Sequence, residues 1–232
     1  MNYIGTIKAG SLYFGDMGIG KAYFGEDLVY DASGGSVTPV LPYDAEVEYL
    51  QSSGTQYIDT GINAQSVRRF VVSGYCYVNG SNNTQLLGGN EQGASTFFGA
   101  RVTNVTHWYC NDSSGGLGDP SHASTIDATI NSTSSQTGTL TDLTNNTTYN
   151  FTSFGSSSWS FPNSNLLIFG GYSTRRSPNA RCYSLQIYTD SGLVRDFIPV
   201  RVGQVGYMYD KVSGELYGNS GSGSFTLGND KS

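Results

Sequence analysis

The sequence predicts an all-β protein, a two-sheet sandwich preceded by a short N-terminal β segment. From Tyr43 onward, short runs that are apolar or alternate with period two recur between turn residues. No window keeps a 3.6-residue apolar stripe, and abundant glycine, threonine and β-branched residues disfavour long helices. With 31 Gly, 13% aromatic and 13% charged residues, the polar surface is built mainly from Ser, Thr, Asn and Gly, and the aromatic content opposes disorder. A chain of 232 residues buries enough surface for a core without metals or disulfides. Twelve basic against 18 acidic side chains, net −6, exclude a basic nucleic-acid binder.

In chain order, residues 1–31 come first. SLYFGD at 11–16 returns as KAYFGED at 21–27, each copy an aromatic pair followed by glycine and an acid. Tyr13, Phe14, Tyr23 and Phe24 favour pleated surface, and Gly15 and Gly25 suit turns, so two or three short strands are expected. A unit this small cannot bury its own aromatic faces, which makes these four side chains partner-binding candidates. Residues 32–42, ASGGSVTPVLP, carry the Gly and Pro content of a linker. The region 43–230 then holds about a dozen strand-like runs, which suits a sandwich better than a TIM barrel or a Rossmann fold. In RCYSLQIYT, simple alternation puts Cys182, Ser184, Gln186 and Tyr188 on one face and Tyr183, Leu185, Ile187 and Thr189 on the buried one.

Met1–Gly10 shows no basic segment followed by an apolar run, so no secretory signal is expected, and no stretch approaches a membrane-spanning length. Cys76, Cys110 and Cys182 each sit in a strand-like aromatic run, which suits inert core thiols rather than a disulfide framework or a zinc site. The Asn-x-Ser/Thr triplets at Asn104, Asn131 and Asn146 are what a Ser/Thr/Asn-rich chain produces by chance.

Two phrases are more specific than composition: EYLQSSGTQYIDTG at 48–61 and YSLQIYTDSGLVRDFIPVRVGQVGYMYDKVSGELYGNSGSGSFTLG at 183–228. Together they resemble a concanavalin A-like, laminin-G-like domain of the kind found in structural proteins of tailed phages and surface proteins of gut Bacteroidales. The resemblance implies a jelly-roll sandwich over 43–230, a scaffold that serves lectins, glucanases, adhesins and packing modules alike. KAYFGEDLVYD at 21–31 is similar to short leaders of phage tail or virion proteins. In the tail itself, Leu193, Val194, Phe197, Ile198 and Val200 are core candidates, and Pro199 suggests an edge or strand end. Arg195 and Asp196 read as a local ion pair or a brace toward Tyr207 and Tyr209. Asp210, Lys211, Ser213 and Gly214 read as a hairpin connection with Gly214 in a left-handed turn position.

Catalytic signals are weak. The glucanase members of the resembled family carry closely alternating acids on an inner strand. Asp44, Glu46 and Glu48 depart from that order and stand at the start of the domain, while Glu91, Asp127 and Asp142 are isolated. His107 and His122 have no local partner for nucleophilic catalysis and are too few for a three-imidazole zinc centre. The glycine-rich segments at 113–119 and 218–225 lack the lysine of a phosphate loop, and the doublets Arg68–Arg69 and Arg175–Arg176 are surface features. No enzyme activity, metal or cofactor is expected; calcium on Asp112, Asp119 and loop carbonyls stays open as an alternative, without a closely spaced acidic loop to favour it.

The ligand class that suits the chain is carbohydrate, since aromatic faces stack on sugars while amides and carboxylates bond hydroxyls. The candidate cluster is His107, Trp108, Tyr109, Asn111 and Asp112, with Trp159 and Tyr172 from other loops. The expected function is a non-enzymatic virion component, located in the tail or on the capsid and assembled in the host cytoplasm. Its expected partners are other virion proteins, further copies of itself and a cell-surface glycan, with neither nucleic acid nor membrane insertion. A carbohydrate-binding adhesin module on a bacterial surface is the alternative, and a glycoside hydrolase, which would need a paired-carboxylate cleft, is the third reading.

Overall fold

The period-two runs after Tyr43 form strands, and every ladder among the described residues is antiparallel. The computed structural model describes residues 41–76, 84–89, 108–110, 117, 122–132, 137–151, 163–170 and 179–232, with the backbone alone at 12–14, 17–19, 21–24, 27–31, 84, 100–102, 109–110, 131–132 and 151. The chain divides into two units, Met1–Pro42 and Tyr43–Ser232. In the first, β1 (Leu12–Phe14) pairs with β2 (Met17–Ile19), and β3 (Lys21–Phe24) pairs with β4 (Asp27–Asp31). That makes four strands in two ladders among the described residues, one strand more than the aromatic echo suggests, because each copy carries its own return strand. Tyr13, Phe14, Tyr23 and Phe24 lie on β1 and β3; their side chains, and residues 32–40 of the proposed linker, are outside the described residues.

The second unit is all-β, with no α-helix among the described residues and one turn of 3-10 helix at Ala64–Ser66. Its large sheet has the order β15 (Thr147–Phe151), β14 (Thr137–Asp142), β13 (Ser124–Ser132), β8 (Arg69–Tyr75), β17 (Arg181–Thr189), β18 (Gly192–Val202), β19 (Val205–Asp210), β20 (Glu215–Tyr217). Three short strands add to it: β5 (Ala45–Glu46) on β18, β6 (Leu50–Gln51) on β17, and β21 (Thr226–Leu227) on β6. The second layer comprises β10 (Leu87–Gly89), β16 (Asn165–Ile168) and β7 (Ile58–Asn63), and a further set of β12 (Tyr109–Cys110), β11 (Ala100–Val102) and β9 (Thr84–Gln85). No helix among the described residues is long and apolar enough to cross a membrane.

One apolar cluster joins the layers. Phe70 and Val72 of β8, Ile126 and Ala128 of β13, Leu140 of β14, Leu185 and Ile187 of β17 and Phe197 of β18 meet Ile58, Leu86, Leu87, Leu166, Ile168 and Phe169. β8 alternates strictly, with Phe70, Val72 and Gly74 buried and Arg69, Val71, Ser73 and Tyr75 half-open. The inward glycine has a packing reason: a Cβ at Gly74 would lie 2.1 Å from Leu86 Cδ2 and 3.2 Å from the Arg181 carbonyl oxygen.

Three local expectations are corrected. Cys182 is buried with Leu185 and Ile187, not open with Ser184, because the register against β8 shifts between Cys182 and Ser184 and leaves Tyr183 as the extra, outward residue of a bulge. Pro199 is interior to β18. It sits where β18 has left β17 and is about to meet β5, and Val47 donates to its carbonyl at 3.0 Å, so the missing N–H costs no ladder bond on that side. Of the tail residues assigned to the core, Leu193 is exposed and Ile198 half-buried, while Phe197 and Val200 are buried and Val194 packs against the cluster from partial exposure.

Arg195 and Asp196 do not pair with each other, because neighbours on a strand point to opposite faces. Arg195 turns inward to the buried Asp210 at 3.7 Å, and Asp196 turns outward to Lys211 at 3.1 Å. Asp210 also accepts from the N–H groups of Asp196, Val212 and Ser213, which ties the turn into β20, and Gly214 there has φ of 76°. Asp142 does the same for the turn into β15 by accepting from the N–H groups of Thr144 and Asn145. Both carboxylates are fully buried and compensated by hydrogen bonds.

The ends of the unit are tied together. Arg201 holds Asp230 through two hydrogen bonds of 2.7 and 2.6 Å, Glu48 accepts from Asn229, and the Lys231 N–H donates to the Glu46 carbonyl. The SSGTQ turn is closed by the Gln56 side chain, whose Oε1 accepts from the Ser53 N–H at 2.7 Å, and Thr55 bonds the Ser222 carbonyl of the 218–225 loop.

Trp108 joins the core. It is 0% exposed, forms an isolated bridge with Leu117, and its Nε1 has no hydrogen-bond partner among the described residues. Trp108→Ala is therefore expected to destabilise the protein by about 3–5 kcal/mol, measured as a shift in the urea midpoint. Cys76 and Cys182 are free and buried; Cys110 contributes only backbone to the description. Burial pushes the Cys182 thiol up to about 12 and raises that of Cys76 further. Neither should react with iodoacetamide at pH 8 before denaturation, as peptide mapping would show. Because the folded pKa lies above the ordinary value of 9.0, the contribution to stability is complete below pH 9 and is lost as pH rises toward 12. Urea midpoints measured from pH 8 to 11 should fall, and Cys76→Ala with Cys182→Ala should flatten that slope.

Candidate functional site

The face of the large sheet opposite the core carries the densest arrangement of aromatic, amide and charged side chains among the described residues. Its rows follow from register. Tyr75 of β8 stands opposite Arg181 of β17, which stands opposite Gln51 of β6. In the next row, Thr125, Ser73 and Ser184 lie side by side on β13, β8 and β17. A third row runs Asp127, Val71, Gln186, Asp196, and a fourth runs Thr129, Arg69, Tyr188. From Tyr75 to Arg69 is six residues of strand, about 20 Å at ~3.3 Å per residue. The short side chains of the second row stand lower than the long ones at either end, and this difference in side-chain length makes a shallow trough.

One end is an aromatic frame. The Arg181 guanidinium carbon lies 4.4 Å from the centroid of Tyr49 and 5.5 Å from that of Tyr75. Tyr183, pushed outward by the bulge, meets Tyr49 edge-on at 5.6 Å. Arg181 Nε donates to Gln51 Oε1 at 2.7 Å, and Gln51 Nε2 reaches Asn179 Oδ1 at 3.5 Å.

The other end is a polar chain across four strands, β13, β8, β17 and β18, and into the turn after β19. Arg69 makes a two-point pair with Asp127 at 2.8 and 2.6 Å, and those hydrogen bonds raise its pKa above the ordinary arginine value. The same guanidinium lies 4.9 Å from the Tyr188 ring centroid. Tyr188 Oη donates to Gln186 Oε1 at 3.0 Å, Gln186 Nε2 donates to Asp196 Oδ1 at 3.3 Å, and Asp196 meets Lys211. Each side chain of this chain is bonded to or packed against its neighbour, so these side chains hold fixed positions.

The residues singled out from the sequence are not brought together here. Trp108 is inside the core and offers no face to a sugar, because the strand alternation turns its ring inward. Tyr109 begins β12, with its side chain outside the described residues. His107, Asn111, Asp112, Trp159 and Tyr172, together with Glu91 and Asp119, also lie outside them. Among the described residues no group of three His, Cys, Asp or Glu side chains could hold a metal ion. The residues that sequence reasoning passed over, Tyr49, Gln51, Tyr75, Arg181, Gln186 and Tyr188, are the half-open positions of alternating strands, and the alternation of RFVVSGYCY was the signal that marked some of them.

No protein-family model matches the chain, and no curated protein matches it significantly. Among solved structures, the chain is similar to a scytalido-glutamic peptidase crystallised with a peptide-based transition-state analogue, at a TM-score of 0.34 and 14% identity over 66% of this chain and 85% of that one. A likeness at that level carries no argument about the fold or the chemistry of this chain.

Proposed function

We propose that the chain is a non-enzymatic component of a bacteriophage virion, associated with its tail or capsid. In this reading the sandwich is a concanavalin A-like jelly roll that recognises carbohydrate on the host surface, and the N-terminal segment attaches it to the particle. The observation that carries the recognition half is the trough on the open face. It offers tyrosine rings for sugar C–H faces, amide and guanidinium donors for hydroxyls, and a rigid sheet beneath both. Tyr49, Gln51, Tyr183, Gln186 and Tyr188 also lie within the two phrases that resemble the family, which favours the same reading.

The non-enzymatic reading is supported by the carboxylates of that face. Asp127 and Asp196 stand three strand spacings apart, about 14 Å, beyond the ~5–9.5 Å of paired glycosidase carboxyls. Each is neutralised by its own cation, Arg69 or Lys211. The attachment reading is supported by the two short ladders of the first unit, which are too small to be stable alone.

A glycan array probed with the full chain should return binding, and Tyr188→Ala should weaken it tenfold or more with the urea midpoint little changed. An array without signal overturns the recognition half. Deleting residues 1–31 should abolish incorporation into particles while residues 43–230 stay soluble, and retained incorporation overturns the attachment half.

A further inference from the structure

We infer that the glycan taken by the trough carries a carboxylate, as a uronic or sialic acid does, and that Arg181 receives it. The inference rests on the carbohydrate reading above and names its ligand class. Seven Lys and Arg side chains belong to the described residues. Six of them have a carboxylate within 4.0 Å: Arg68, Arg69, Arg195, Arg201, Lys211 and Lys231. Arg181 has none among the described residues. In a chain with 18 acids against 12 bases, a guanidinium left without an acid departs from the pattern every other described cation follows.

Its surroundings fit a ligand. Nε is used by Gln51, which fixes the plane of the guanidinium, and the rings of Tyr49 and Tyr75 confine it. The two Nη groups make no hydrogen bond among the described residues, and their parallel N–H bonds match the two oxygens of a carboxylate. One row along the sheet, Thr125, Ser73 and Ser184 supply hydroxyls at the spacing of neighbouring strands for the sugar ring that bears the acid. A neutral sugar would use the rings and hydroxyls and leave the charge unmatched. The aromatic frame also limits competition from water, so the fork is set before the ligand arrives.

The test is calorimetry on the full chain with oligogalacturonate against its methyl ester, and with sialyllactose against lactose. At least one acid should bind tenfold or more tightly than its neutral counterpart. Arg181→Gln should erase that preference, and Arg181→Lys, which keeps the charge and loses the fork, should cut it severalfold. If Arg181→Gln fails to fold, the ester comparison and Arg181→Lys decide. Equal affinity for acid and neutral forms, or a preference unchanged in Arg181→Lys, overturns the inference and leaves the carbohydrate reading standing. A sulfated oligosaccharide bound as tightly as either acid overturns the carboxylate assignment. An array silent for neutral and acidic glycans alike removes the carbohydrate reading itself.

Discussion

Leu86 fills the space where a side chain at Gly74 of β8 would stand, and the geometry of the open face follows from that close packing. A single methyl at Gly74 would overlap Leu86 Cδ2 at 2.1 Å, so this strand is held against the second layer by the absence of a side chain. Once Phe70, Val72 and Gly74 face inward, the pleat leaves Arg69, Val71, Ser73 and Tyr75 no choice but the other side. A register slip of one residue would bury Arg69 and expose Phe70, and the pairing with Asp127 and Tyr188 would go with it. The floor and ends of the trough are thus the outward print of the core.

The bulge in β17 adds what alternation alone cannot. Without it, Cys182 and Ser184 would share a face and one of them would be wrongly placed. With it, Cys182 stays in the core, Ser184 aligns with Ser73, and Tyr183 projects beside Tyr49. The result is an extra aromatic ring at the end of the trough occupied by Arg181. Asp142 and Asp210 play the matching part at the turns, since both spend their buried charge on backbone N–H groups. These carboxylates belong to the scaffold.

Much of this was readable before any coordinates. Period two places the inward residues of β8 and the inertness of Cys76, and the glycine at 214 marks its turn. What escaped depends on register between distant segments. Arg181 meets Gln51 across 130 residues and Arg69 meets Asp127 across 58, and no local pattern announces either pairing. The bulge leaves no mark in RCYSLQIYT, so simple alternation puts Cys182 on the wrong face. VTHWYC reads as a strand, but its sequence does not say which face Trp108 takes, because its bridge partner, Leu117, lies beyond a glycine-rich stretch. The tyrosine frame is assembled from outward positions on or beside β6, β8 and β17 that are distant in sequence, so no single segment displays it.

The described ion pairs of the second unit separate structural cations from the remaining one by what each would cost to unpair. Arg195 faces a fully buried acid, so removing it would leave a desolvated charge. Arg68, Arg201 and Lys231 sit at surface pairs worth little each, and they fasten neighbouring segments. Arg69 and Lys211 neutralise the two acids of the open face. With those accounted for, the described cation of that face without a carboxylate is Arg181, at the end lined by Tyr49, Tyr75 and Tyr183. On a chain of net charge −6, an anionic ligand is favoured where a cation is left without an acid, and among the described residues that is Arg181. Selectivity of this kind follows from where the acids have been spent, and it requires no residue beyond those that already hold the sheet together.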